Sequence, residues 1–141
     1  MSTPPLTIAE IQLKLENSPF IQFLGLHVEA TVPDKQEVTM SAELKPEFER
    51  ARGTGQWHGG VIASLIDTVG DYALVMLLGR PLPTINFRVD YLRPAINTKL
   101  TLVGRVRRAG KTVGVVDVDV YNDEQALVAI GRANYATLQQ S

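Results

Sequence analysis

The chain has no cysteine. That excludes disulfides, thiolate metal sites and a cysteine nucleophile, and it suits a reducing compartment, so a cytoplasmic location is expected. Histidine is scarce as well: His27 and His58 are the only two, far apart in the sequence. A histidine-rich metal centre is therefore not expected, and no other metal or cofactor is called for. Nor is there an excess of one charge. Fourteen Lys and Arg against fifteen Asp and Glu leave a formal net charge of −1, which supplies no electrostatic footprint for nucleic acid and no polybasic membrane anchor. Met1-Ser2-Thr3-Pro4-Pro5 lacks the basic segment and apolar run of a signal peptide, so none is expected. What is present is ordinary for a globular protein. With 141 residues, 45% hydrophobic and 21% charged, the chain suffices for one domain with a sizeable core. It contains no internal repeat and no low-complexity tract.

One stretch dominates. Residues 61–78 are apolar almost all the way round. A helix of that kind belongs inside a domain. It is long enough to suggest a membrane span, but Asp67 and Asp71 sit in its middle and no positive flank follows. A buried core helix is the better reading. Its polar exceptions, Ser64, Asp67, Thr68 and Asp71, recur at helical spacing and form one stripe. A carboxylate unpaired in a dry interior would cost several kcal/mol or take up a proton. The stripe therefore needs a wet cleft or a partner surface.

His58-Gly59-Gly60 opens this helix. The first N–H groups of a helix lack internal partners and carry the positive end of its dipole. Glycine there lets a ligand approach the backbone, so the segment suits an anion or an oxyanion formed during reaction. Asp67 lies nine residues after His58, two to three turns along. One helix cannot fold its own N-terminus onto that carboxylate. If the two cooperate, a second copy supplies one of them, which points to a homodimer with the site at its interface.

The rest of the chain is strands and turns around this helix. Thr7 and Glu10 form a capping-box pattern ahead of Ile8, Ile11 and Leu15 at helical spacing. Residues 1–19 are read as a tail and short helix before a single domain over 20–141. Residues 20–25 predict a helical turn over the core. Residues 26–31 and 37–44 alternate as a first hairpin, and 45–57 form a long polar loop. Strands are expected at 84–93, 100–108, 112–121 and 126–136, as a meander of four, with Ile85, Phe87, Val89 and Tyr91 on one face of the first. An all-apolar helix must be wrapped by such strands. The class is α+β: a long central helix wrapped by a curved antiparallel sheet.

His58-Gly59-Gly60 with Asp67 nine positions on, then Asn86-Phe87-Arg88-Val89-Asp90-Tyr91-Leu92-Arg93-Pro94, Gly104 and Arg107-Arg108-Ala109-Gly110-Lys111 carry a resemblance. Over roughly residues 20–137 the chain resembles the hot-dog fold acyl-CoA thioesterases related to the phenylacetate-degradation and hydroxybenzoyl-CoA enzymes. The resemblance implies a hot-dog fold and hydrolysis of an acyl-CoA to free acid and CoA, with no cofactor. It makes Asp67 the catalytic carboxylate, as nucleophile or as general base on water. It makes the Gly59 N–H the group that polarises the thioester carbonyl, with Gly60 as its neighbour, and Thr84 the hydroxyl that positions water or substrate. It implies a site shared between two subunits, with dimers pairing into a dimer of dimers. It maps the CoA phosphates to Arg107, Arg108 and Lys111, with Arg88 beside them. His58 is read as an orienting group rather than a base, because an imidazolium is disfavoured at the positive end of a helix.

Two residues depart from the family pattern. Arg52 stands six residues before His58, where many relatives carry asparagine, and Gln56 is a candidate substitute for that amide. Asp71 is not demanded by the pattern; it is left to tune Asp67, to bind substrate or to pair with an arginine of the partner subunit. Phe20, Phe23, Leu24 and Val61 are candidate acyl-pocket residues, and Trp57 is read as interface packing. His27 receives no role. Two other functions stay open: a non-catalytic acyl-CoA-binding protein, and a hot-dog hydratase or dehydratase, which would pair histidine and acid without this glycine motif.

Overall fold

Helix α1 (Ile8–Glu16) starts at a closed capping box. In the computed structural model, which describes residues 3–139, the Thr7 hydroxyl accepts from the Glu10 N–H and the Glu10 carboxylate accepts from the Thr7 N–H. Such a cap stabilises a helix by about 1 kcal/mol. Ile11 and Leu15, one turn apart, are buried in the same core as the rest of the chain. Helix α2 (Pro19–Leu24) follows, capped by Ser18 and ended by Gly25 in the left-handed region at φ 71°.

The remaining elements are β1 (His27–Val32), β2 (Glu37–Ala42), α3 (Gly59–Leu78), β3 (Thr84–Tyr91), β4 (Leu100–Ala109), β5 (Val113–Tyr121) and β6 (Leu127–Ala136). The strands form one antiparallel sheet in the order β1-β2-β4-β5-β6-β3. Helix α3 lies across one face of it and touches every strand from β2 to β6. Val116, Val118 and Val120 are buried beneath the helix, while Asp117 and Asp119 between them face away from it. This is the expected hot-dog arrangement. Helix α3 is long and apolar enough to cross a membrane. Here Leu65, Ile66, Val69, Leu74 and Met76 are fully enclosed by the sheet, so it is the core helix of the fold.

The last four strands do not form the expected meander. β3 pairs with β6 instead of β4. Residues 92–99 carry the chain back past the ends of β6 and β5, a distance of three inter-strand spacings, about 14 Å. This crossing holds because its backbone finds partners on the way. The Leu92 N–H donates to Val128 O at 2.9 Å, and residues 49–57 lie against the crossing, with Trp57 N–H on Ala95 O at 2.9 Å and Asn97 N–H on Gly55 O at 2.8 Å. Trp57 is likewise not at an interface. It stacks on Phe48 at 5.6 Å inside the protomer, and its indole N–H donates to Thr98 O at 2.8 Å.

β3 differs from its alternation pattern in a second way. A bulge between Thr84 and Asn86 breaks the pleat, and the strand lies at the sheet's edge. Of its apolar residues Val89 packs on the core, whereas Ile85 and Tyr91 are 53% and 52% exposed.

Gly70 sits in the middle of α3, where glycine costs about 1 kcal/mol relative to alanine. Its reason is tertiary. A Cβ at this position would lie 2.5 Å from the Tyr135 hydroxyl, which donates to the Asp67 carbonyl at 2.6 Å. The missing side chain lets β6 reach the helix at the residue that carries the central carboxylate. Gly70→Ala is expected to destabilise the protein by about 1–3 kcal/mol despite its better helix propensity. In a Tyr135→Phe background the same change should cost clearly less. Equal costs in the two backgrounds, read by denaturant unfolding, would remove this explanation.

Candidate active site

His58 is the N-cap of α3, and its Nδ1 accepts the Gly60 N–H at 2.8 Å. The imidazole thus does the work of a capping Asp or Asn. With Nδ1 accepting, the proton of the neutral ring is on Nε2. His58 is itself held by its own N–H on Phe48 O at 2.8 Å. The N–H groups of Val61 and Ile62 both reach His58 O, at 3.0 and 3.2 Å. Among the described residues, the Gly59 N–H alone of these first helical amides meets no acceptor. Gly60, its neighbour in the motif, has its N–H engaged by the histidine. Tyr91 packs over Gly59: its hydroxyl donates to Gly59 O, and a Cβ at position 59 would lie 3.2 Å from its ring. Gly59 opens on a cleft of about 420 Å³ lined also by Arg50, Gln56, Tyr91 and Arg93.

Asp67 is positioned from the sheet. The Thr84 hydroxyl donates to Asp67 Oδ1 at 2.8 Å, while Tyr135 holds the Asp67 carbonyl. Thr84 and Tyr135 are register partners on β3 and β6, so one cross-strand pair grips one residue at two points. The other carboxylate oxygen of Asp67 has no donor among the described residues. The stripe's hydroxyls serve their own helix: Ser64 donates to Gly60 O at 3.0 Å and Thr68 to Ser64 O at 2.8 Å. Its carboxylates are what remain for chemistry. They line a cleft of about 470 Å³ with Phe20, Ile21, Gly60 and Phe87. Asp71, one turn beyond Asp67, has its Oδ1 buried without a partner. Burial, and then the charge of Asp67, push its carboxyl up to about 7. Burial first, then the same two carboxylates, raise the Tyr135 hydroxyl far above the ordinary tyrosine range, so it stays a donor.

Gly59 and Asp67 do not meet within one protomer. They line different clefts. Eight residues of helix separate them by about 12 Å. The basic residues singled out from the sequence lie elsewhere. Arg88 pairs with Asp90 at 3.3 Å and Arg107 approaches Asp117 at 3.6 Å, on the sheet face turned away from α3. Arg108 and Lys111 are exposed at the β4–β5 turn and carry no ion pair among the described residues. None of these four lines either cleft. Arg50 and Arg93, which the sequence reading passed over, flank Gly59 instead; the signal was Arg93 inside the Tyr-Leu-Arg-Pro motif. Arg52 is exposed in the turn before Gly55. Of the candidate pocket residues, Phe20 lines the Asp67 cleft. Leu24 is buried in the core, and Phe23 stands edge-on to Phe48 at 5.5 Å.

A profile of the Thioesterase superfamily matches residues 54–129. The chain is 31% identical over 138 residues to the medium/long-chain acyl-CoA thioesterase YigI of Escherichia coli, covering 83% of this chain and 84% of that protein. Among solved structures, thioesterase HI1161 from Haemophilus influenzae superposes with a TM-score of 0.84 at 20% identity, over 99% of this chain and 97% of that one. The E. coli PaaI protein from the phenylacetic acid degradation operon superposes with a TM-score of 0.78 at 23% identity, over 96% and 99%. At those identities the two structures speak for the fold.

Proposed function

The chain belongs to the thioesterase superfamily, and from that premise we propose that it hydrolyses an acyl-CoA to a free acid and CoA at a site assembled from two copies of itself. One observation carries the reading. The two ends of a single edge strand hold the two halves of the site: Thr84 at the start of β3 grips Asp67, and Tyr91 at its end grips Gly59. A two-fold axis that pairs β3 antiparallel with its own copy sets the start of one strand beside the end of the other. Asp67 of each protomer then faces Gly59 of its partner.

β3 is suited to that contact. Its outer edge has unpaired backbone groups, and Ile85, Phe87, Tyr91 and Leu92 are exposed along it. Such an edge is a template for another strand. The opposite edge, β1, exposes His27, Glu29 and, of apolar residues, Val32 alone. Two such dimers pair into a tetramer, and the absence of cysteine suits a cytoplasmic setting.

The chemistry follows from where charge moves. The thioester oxygen meets the free Gly59 N–H at the positive end of α3. Thr84 holds one oxygen of Asp67 and leaves the other facing the carbonyl carbon. As general base, Asp67 takes a proton from water while the water oxygen bonds to that carbon. As nucleophile, its own oxygen forms the bond, and water later cleaves the resulting anhydride. Either way the carbonyl π pair moves onto the oxygen at Gly59. The C–S bond then breaks and CoA leaves as a thiolate. His58 fixes the first turn that aims the Gly59 amide. The CoA phosphates fall to cations with no carboxylate partner among the described residues, Arg50 and Arg93 beside Gly59 and Arg108 and Lys111 at the β4–β5 turn, more than to the paired Arg88 and Arg107.

The test is thiol release from short, medium, long and aromatic acyl-CoAs, with the medium and long chains named for YigI tried first. Turnover of at least one class is expected. Tight CoA binding with no turnover of any member would replace this reading with the binding-only one.

A further inference from the structure

Asp71 is used by none of the steps above, yet it is the stripe's least satisfied group. It lines the Asp67 cleft and also a second cleft of about 520 Å³, walled by Lys14, Asn17, Tyr72, Leu82 and Pro83. Its Oδ1 is buried and meets no donor. The groups that face it can be named from each neighbouring element. Helix α1 offers Lys14, which makes no ion pair with it, and the start of α2 offers Ser18, Phe20 and Ile21. Its own helix offers Asp67 and Tyr72. The segment after α3 offers Pro81, Leu82 and Pro83, and β6 offers the Tyr135 hydroxyl, already given to the Asp67 carbonyl. Among the described residues no cation stands within ion-pair distance of Asp71. Asp67 has a hydroxyl to hold it; Asp71 has neither hydroxyl nor cation.

We propose that Asp71 is a positioning residue that acts through Asp67: its carboxylate sets a second negative charge beside the reacting one, and this repulsion is relieved as the charge of Asp67 passes to the thioester oxygen at the partner's helix end. The inference rests on the hydrolytic reading above. Side chains one turn apart on a helix lie about 6 Å from one another. Moving the reacting charge about 3 Å farther off, at an effective dielectric near 20, is worth on the order of fivefold in rate. The charge must be present for this to happen. Burial and the charge of Asp67 push the Asp71 carboxyl up to about 7. An acid with its midpoint there ionises progressively across neutrality, so the acceleration arrives as pH rises through it.

The experiment follows kcat from about pH 5 to 9 for wild type, Asp71→Asn and Asp71→Glu. Wild type should rise about fivefold across a step near neutrality, Asp71→Glu should keep a step, and Asp71→Asn should stay on the lower plateau. A ¹³C-carboxyl NMR titration supplies a second readout that needs no turnover. Asp71 should titrate near neutrality in wild type and at lower pH in Asp67→Asn. A step unchanged in Asp71→Asn, while wild type hydrolyses acyl-CoA, overturns this inference alone. So does an Asp71 carboxyl that ignores the loss of the Asp67 charge. Absence of turnover on every acyl-CoA overturns the hydrolytic reading and this inference with it.

Discussion

Asp67→Asn is expected to lower kcat for thiol release by about a thousandfold or more while leaving CoA affinity within about threefold. The substitution keeps the shape of the side chain. Its amide oxygen can still accept the Thr84 hydroxyl, so the contact at 2.8 Å and the Tyr135 bond to the backbone both survive. What is lost is the ability to take a proton or to attack carbon. The Gly59 amide remains, so residual turnover above the uncatalysed rate should persist. Folding should suffer little, since the change removes a half-buried charge that stands beside another carboxylate. Steady-state thiol release, isothermal titration with CoA and a melting curve separate these effects. A variant retaining a tenth or more of wild-type kcat would move the catalytic role away from this carboxylate.

The second large effect is expected from a residue that touches neither cleft. Ile85 is 53% exposed on the open edge of β3. Ile85→Lys should leave the protomer folded, because more than half of the residue already faces water and a long lysine stem can lie along the rest. A lysine there would, however, put a strongly hydrated charge into the apolar edge that the end of the partner's strand covers. The protein should become monomeric by light scattering. Activity should fall by about a hundredfold or more, because each Asp67 loses the partner's amide donor. Mixing supplies the sharper check. Gly59→Pro removes the N–H, at a helix position that tolerates proline. Each of it and Asp67→Asn should show only residual activity alone, but mixed dimers contain one intact site. Equal mixing should restore about a quarter of wild-type activity. No recovery on mixing, or a fully active Ile85→Lys monomer, would place the whole site within one chain.

Much of this was written locally. The capping box at Thr7 and Glu10, the extent of α3 and the shared stripe of Asp67 and Asp71 depend on contacts a few residues apart along the chain. Periodicity and capping rules read such contacts directly. The glycine pair after His58 was legible for the same reason, since helix ends announce themselves. The resemblance added Thr84, whose hydroxyl lies against Asp67 although the two are seventeen residues apart.

Strand alternation says which residues share a face but not which strand lies beside which, and a bulge inverts even that. Hence β3 was expected next to β4, and its apolar residues were expected to share one face. An exposed apolar sheet edge carries the same residue types as an interior, so composition cannot distinguish the two. The engaged amide of Gly60, the free one of Gly59 and the grip of Tyr91 and Tyr135 likewise depend on where a side chain meets a distant backbone. What the sequence by itself determined was the central helix, its acidic stripe and its open N-terminus. The tertiary structure decided which amide stays free, what holds Asp67, and that its two clefts stay apart within one chain. Those are matters of non-local packing, which is set by strand order rather than by the period of the residues.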